Sequence, residues 1–162
     1  MKTQRLILDT SFILPLFGIK LKSLTKINEG LKLIWKAGLD DFEVYLPSVC
    51  LIESLYKLIH EYKKNNDYKI LKRYPLTIPT IITSQNVKIF NSYIDSTASQ
   101  IAIKIRHAGH SDMMDCWIAA SAAALNGILL TEDILLKDIL KSVPETKFLS
   151  IWSWKELIDV IL

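Results

Sequence analysis

"DCWIAASAAALNGILLTED" occupies residues 115–133 and holds two elements separated by a stop signal. From Cys116 to Leu125 almost every side chain is apolar, and alanine, the strongest helix former, recurs. Ser111 or Asp112 supplies the start, because a short polar side chain accepts from the first free N–H groups. Gly127 supplies the stop. The next four residues, ILLT, form a short apolar run bounded by turn signals, which predicts a buried strand. A helix buried nearly all round, followed by a buried strand, is the repeating unit of a parallel sheet covered on both faces.

The same alternation extends in both directions. Residues 5–8 predict a first strand. Thr10 or Ser11 then caps a helix beginning near Phe12, with Pro15 tolerated in its first turn. Helical spacing of Leu24, Ile27, Leu31 and Ile34 predicts a helix through 23–38, ended by Gly38. Residues 42–47 are a second strand, and Ser48 caps a helix over 49–64. A short helix near 67–73 is expected to run into a loop holding Pro75 and Pro79. Residues 86–90 give a third strand and 96–109 a helix ended by Gly109. After the fourth strand come a helix over 132–140, a fifth strand over 147–151 and a terminal helix over 153–161. About five strands alternating with helices imply an α/β fold with a central parallel sheet flanked by helices. The 162 residues carry no repeat or linker and are expected to form one domain.

Half of the residues are hydrophobic and mean hydropathy is +0.24, which excludes a disordered chain. The net charge of +3 permits nucleic-acid binding without arguing for it. Cys50 and Cys116 lie in apolar runs with no metal-ligand spacing, and read as small buried hydrophobes in a reducing compartment. Lys2 and Arg5 precede an apolar stretch, but Asp9 interrupts it and no cleavage site follows, so it is not read as a signal peptide. The apolar run over 116–130 is too short to span a bilayer. The expectation is a soluble cytoplasmic protein with no membrane contact.

In parallel sheets, ligand-binding groups gather beyond the carboxyl ends of the strands. Asp9 follows the first strand there, and Glu132 and Asp133 follow the fourth. Taken singly, Asp9 is a turn residue and Asp133 a helix first-turn acid. Glu53 lies on or beside the side of its helix that Val49, Ile52, Tyr56 and Ile59 turn to the core, with Lys57 one turn on as an ordinary ion-pair partner. Asp115 stands at the mouth of the buried helix, on the side of Ile118, Ala119 and Ala122. Asp112, one turn earlier, is more simply an N-cap. Carboxylates from four elements meeting in one pocket would repel, and a divalent cation relieves that repulsion. All-oxygen ligands suit Mg²⁺ or Mn²⁺ rather than Zn²⁺, and phosphoryl transfer is the chemistry such ions serve.

Four stretches carry a resemblance: LILDTSFI at 6–13, LPSVCLIESL at 46–55, DCWIAASAAALNG at 115–127 and ILLTED at 128–133. In this order and spacing the chain resembles the PIN-domain family of metal-dependent ribonucleases, and is most similar to the VapC-type toxins of prokaryotic toxin–antitoxin pairs. The resemblance implies a three-layer fold, an acidic cleft holding Mg²⁺ or Mn²⁺, and endonucleolytic cleavage of RNA. It implies catalytic metal ligands at Asp9, Glu53 and Asp115, with Asp133 completing the site directly or through water. Ser11 and Thr131 fall on the family's polar positions as hydrogen-bond partners of the acids, and Asp112 is an accessory candidate. A small antitoxin whose tail fills the cleft, and a homodimer, are implied as partners. Members often place Arg or Lys beside the third acid, whereas Met113, Met114, Cys116 and Trp117 surround it here. Residues 65–92 match no motif.

Competing readings are a PIN nuclease in RNA processing, a degenerate module that binds RNA or protein without cutting, and a haloacid-dehalogenase-like phosphatase. The last needs a second Asp where Ser11 stands. Lys57, Lys63, Lys64, Lys104 and Arg106 are the candidate RNA contacts. Trp152, Trp154 and Tyr93 are candidates for an interface, with core packing the commoner use. His60, His107 and His110 are read as surface or helix-end histidines.

Overall fold

A computed structural model describes residues 3–24 and 26–162. Lys2 of the amino-terminal reading and Thr25 of the helix expected over 23–38 lie outside them. Five strands, β1 (Gln4–Leu8), β2 (Phe42–Pro47), β3 (Val87–Phe90), β4 (Ile128–Leu130) and β5 (Ile151–Trp152), form one sheet in the order β3-β2-β1-β4-β5. Every neighbouring pair is parallel. The α-helices are α1 (Ile27–Lys32), α2 (Val49–Asn65), α3 (Lys69–Ile82), α4 (Ser96–His107), α5 (Met113–Ala124), α6 (Ile134–Ser142) and α7 (Trp154–Ile161). The sheet and its flanking helices make the expected three-layer α/β architecture.

β1 is the central strand because Leu6, Ile7 and Leu8 are fully buried, which suits a strand covered on both faces. It pairs with β2 on one side and β4 on the other, so the chain reverses its direction of travel across the sheet at β1. That reversal opens a crevice beyond the carboxyl ends of β1 and β4. Gly127 makes the close entry of β4 feasible: a Cβ there would lie 2.4 Å from Ile7 Cδ1 and 2.8 Å from the Arg5 carbonyl oxygen. Near the other end of the chain, α7 closes on α1, where Gly30 leaves room for the indole of Trp154. Trp154 is buried and stacked on Phe12 at 5.4 Å, so it is a core residue. Trp152 is half-buried, edge-on to Phe42, and Tyr93 is exposed.

Several boundaries differ from those the sequence predicts. Residues 10–17 fold as two 3-10 turns, Thr10–Phe12 and Leu14–Phe17, rather than a helix from Phe12. Asp9, not Thr10 or Ser11, caps the first of them. The helix expected over 23–38 begins at Ile27 and passes into a π turn, Leu33–Ala37, before stopping at Gly38 (φ 81°). α3 continues through Pro75 and Pro79, where a loop was expected. The two prolines are four apart and so weaken the same side of the helix, while Tyr74 stacks on Phe17 and donates to the Leu51 carbonyl at 2.8 Å. β5 is shorter than predicted because residues 140–149 bond among themselves. Lys147 N donates to the Val143 carbonyl, and Thr146 Oγ1 donates to the Leu140 carbonyl at 2.7 Å.

The face of α2 also differs. Val49, Cys50, Glu53, Ser54 and Leu58 are buried, whereas Ile52 and Tyr56 are 45% and 63% exposed. Apolar residues occur all round this helix, so spacing alone does not single out one face. The observed rotation sets Glu53 within the buried side. Among the described residues, no helix is long and apolar enough to cross a membrane.

Candidate metal centre

Four elements bring acidic side chains to the crevice. β1 ends in Asp9, whose amide continues the ladder to the Leu130 carbonyl at 3.2 Å. Its Oδ1 accepts from the Ser11 amide at 3.3 Å, and its Oδ2 accepts from Thr131 Oγ1 at 2.6 Å. Thr131 Oγ1 also accepts from the Asp133 amide at 3.2 Å, tying the ends of β1 and β4 together. Asp133 caps α6, its Oδ1 accepting from Leu136 N at 2.9 Å. From α2, Glu53 presents Oε2 to Thr10 Oγ1 at 2.5 Å and Oε1 to Lys57 Nζ at 3.5 Å. From α5, Asp115 offers Oδ2 to His110 Nε2 at 3.0 Å. Asp112 caps α5 by accepting from Met114 N at 2.8 Å.

Two groups of potential ligand atoms overlap at Asp115. One comprises Glu53, Asp112 and Asp115, the other His110, Asp115 and Asp133, and within each group the atoms lie within 4.8 Å of one another. Asp9 stands buried behind them. Desolvation pushes its carboxyl up to about 7, against the hydrogen bond from Thr131, and the negative charges of Asp115 and Glu53 add to the rise. Burial also raises Asp115, opposed by its bond to His110 and reinforced by the charges of Asp112 and Glu53. Asp9 and Asp115, whose ionisation burial opposes, and Glu53, each with an oxygen held by a hydroxyl, amide or imidazole, are a donor set suited to a divalent cation. A cavity of about 420 Å³ adjoins them, lined by Glu53, Tyr56, Lys57, His60, Asp112 and Met114. A second cavity, of about 540 Å³, is lined by Gln4, Arg5, Gly127 and Phe148 at the amino end of the strands, away from the acids.

The structure therefore joins Glu53 and Asp112 to Asp115 in one group and Asp133 to Asp115 in the other, with Asp9, held by Thr131, near enough to feel the charges of Asp115 and Glu53. Ser11 reaches Asp9 through its backbone N–H. Glu132 turns away: its Oε1 accepts from Trp154 N at 2.6 Å, at the start of α7. His110, expected at the surface or a helix end, is instead buried and bonded to Asp115. It precedes α5 and lies five residues from Asp115, a spacing that no helical or strand period singles out. The combination that marks it is a histidine just before the cap of a helix with an apolar body and an early acid. His107 is exposed. Lys104 pairs with Glu145, and Arg106 donates to the His110 carbonyl at 2.8 Å.

The PIN domain family matches residues 6–142. Among solved structures, VapBC2 from Rickettsia felis, bound to a DNA fragment from its promoter, superposes with a TM-score of 0.60 at 17% identity, covering 93% of this chain and 98% of that one. The protein PAE2754 from Pyrobaculum aerophilum gives 0.60 at 15% identity, covering 99% and 96%. VapBC-1 from nontypeable Haemophilus influenzae gives 0.54 at 17% identity, covering 93% and 98%. At such identities the likeness is one of fold. No curated protein matches the sequence significantly.

Proposed function

The chain belongs to the PIN domain family, and on that premise we propose that it is a metal-dependent endoribonuclease, the toxin of a toxin–antitoxin pair. The observation that carries the reading is a pair of overlapping groups, Glu53 with Asp115 and Asp133 with Asp115, near enough to buried Asp9 for the charges of Asp115 and Glu53 to act on it, at the point where the sheet changes direction. Asp9, Glu53, Asp115 and Asp133 would hold Mg²⁺ or Mn²⁺, with Asp112 at the rim. A cation so held supplies activation of water and stabilisation of the charge that develops on a phosphodiester.

The chain's own residues do the rest. Thr131 fixes the carboxylate of Asp9 and Thr10 that of Glu53. Each bond removes rotational freedom from a ligand oxygen. Burial pushes the Asp9 carboxyl up to about 7, so it would lose its proton where a cation neutralised the cluster. Lys57, at the edge of the cavity, offers a positive charge to a phosphate.

The reading extends to a cytoplasmic protein of one domain over 1–162, acting as a homodimer and held in check by a small antitoxin. VapBC pairs among the solved structures of this fold support the antitoxin partner. The test is incubation of the purified protein with RNA and Mg²⁺ or Mn²⁺, beside Asp9→Asn and Asp115→Asn. Cleavage by the wild type alone is expected. Equal cleavage by all three overturns the assignment.

A further inference from the structure

We propose that His110 is a nitrogen ligand of this centre, giving it a cation position that takes Mn²⁺, or a later and softer divalent ion, in preference to Mg²⁺. The inference rests on the metal-dependent reading above and specifies which ion the site selects.

Three observations carry it. First, Nε2 of His110 lies 3.0 Å from Asp115 Oδ2. In the metal-free chain that contact is a hydrogen bond; two adjacent ligands on one octahedral ion, each about 2.1 Å from it, are also separated by about 3.0 Å, so a cation that displaces the shared proton finds the pair at the spacing of an octahedral edge. Second, Asp133 closes the group: its ligand atom, that of Asp115 and the imidazole nitrogen lie within 4.8 Å of one another. Third, His110 is a built feature and not a passing surface rotamer. It is 6% exposed, its amide donates to the Ile105 carbonyl at 3.4 Å, and its carbonyl accepts from Arg106 Nη1 at 2.8 Å. Gly109, at φ 115°, makes the turn that carries the ring back towards α5.

The consequence is a centre of two characters. Glu53, Asp112 and Asp115 form an all-oxygen group, and His110, Asp115 and Asp133 a mixed one, with Asp115 common to both. Mg²⁺ favours oxygen ligands and keeps its waters, whereas imidazole favours ions further along the divalent series. A buried imidazole facing the cluster therefore shifts the balance towards Mn²⁺. Its alternative use, as a hydrogen-bond donor that merely orients Asp115, would favour neither ion.

The full chain, stripped of metal by chelation, is titrated separately with MnCl₂ and MgCl₂ by calorimetry. The Mn²⁺ form is then probed for electron-spin-echo modulation by a coordinated ¹⁴N. The wild type is expected to prefer Mn²⁺ by about tenfold or more and to show the nitrogen signal. His110→Ala should lose the signal and weaken Mn²⁺ binding by about tenfold or more, with Mg²⁺ binding changed far less. His110→Gln, whose amide can still donate to Asp115, should resemble His110→Ala for Mn²⁺, while exposed His107→Ala should resemble the wild type. Thermal melting of each variant shows that it is folded. Absence of the nitrogen signal in the wild type, or equal loss of both ions with recovery in His110→Gln, overturns the inference and leaves the metal centre standing. No binding of either ion to the wild type, or binding untouched by Asp115→Asn, overturns the metal centre and the inference with it.

Discussion

Thr131 Oγ1 donates to Asp9 Oδ2 at 2.6 Å, joining two residues 122 positions apart. The bond crosses the β1/β4 pair at the sheet's change of direction, and the same hydroxyl oxygen accepts the Asp133 amide. It is also the chief influence opposing the rise in the Asp9 pKa. Thr131→Val keeps the shape and removes both interactions. Cation affinity should fall by about 10–100-fold, as when other outer partners of metal ligands are removed. Stability should fall by about 1–3 kcal/mol, because Asp9 is buried and would lose its partner. Thr131→Ser should retain most of both. Calorimetric titration and denaturant unfolding check this, and unaltered affinity in Thr131→Val would refute it.

The acids also dictate how the metal-free protein responds to pH. Asp9 moves from the ordinary 3.8 to about 7 on folding, so between those values the folded state binds more protons than the unfolded one. Stability must then fall as pH rises from about 4 to about 7, by an amount on the order of a few kcal/mol. Asp115, also raised, contributes in the same direction. Denaturant unfolding in chelator at pH 5.5 and 7.5 should show the lower stability at 7.5. Asp9→Asn should flatten the difference. Saturating Mn²⁺ should reverse it, because cation binding displaces the proton and strengthens with pH.

Glu132 and Asp133 are adjacent in sequence but differ in what they touch. Glu132 accepts from Trp154 N, whereas Asp133 caps α6 and joins the group around Asp115. Glu132→Ala should cost about 1 kcal/mol of stability and leave RNA cleavage unchanged. Asp133→Ala should cost about as much through the lost cap and also weaken cation binding. Paired melting and cleavage assays distinguish the two, and a cleavage loss in Glu132→Ala with normal stability would contradict the assignment.

The sheet was legible because its signals are local. Leu6, Ile7 and Leu8 form a short apolar run, and Gly127 and Gly38 stand where two helical stretches end. Asp9, Glu53, Asp115 and Asp133 were singled out as candidates through their positions at strand and helix ends, combined with a resemblance spread over four motifs. What stayed hidden depends on tertiary contact. Nothing in the local pattern of residues 67–82 reveals that Tyr74 will stack on Phe17, and without that contact Pro75 and Pro79 argue for a loop. The buried face of α2 is fixed by what packs on it, so Ile52 and Tyr56 misled the spacing. His110 was missed for the same reason: its partner is set by the turn at Gly109, not by a period.

The basic residues near the centre should differ in their contribution to RNA binding. Lys57, on α2, pairs with Glu53 at 3.5 Å and lines the cavity next to the acids, whereas Lys104, on α4, pairs with Glu145 and does not line that cavity. A lysine that meets a phosphate releases a counterion, and each such contact on a single strand adds about 0.7 to the slope of log affinity against log salt. Lys57→Ala should therefore weaken RNA binding and lower that slope by about 0.7, whatever the sequence of the RNA. Lys104→Ala should leave the slope unchanged. Binding is measured with Asp115→Asn as the background, so that cleavage does not consume the RNA, over 50–200 mM KCl as an order-of-magnitude range in which screening changes strongly. An identical slope for Lys57→Ala and its parent would place the RNA path elsewhere on the surface.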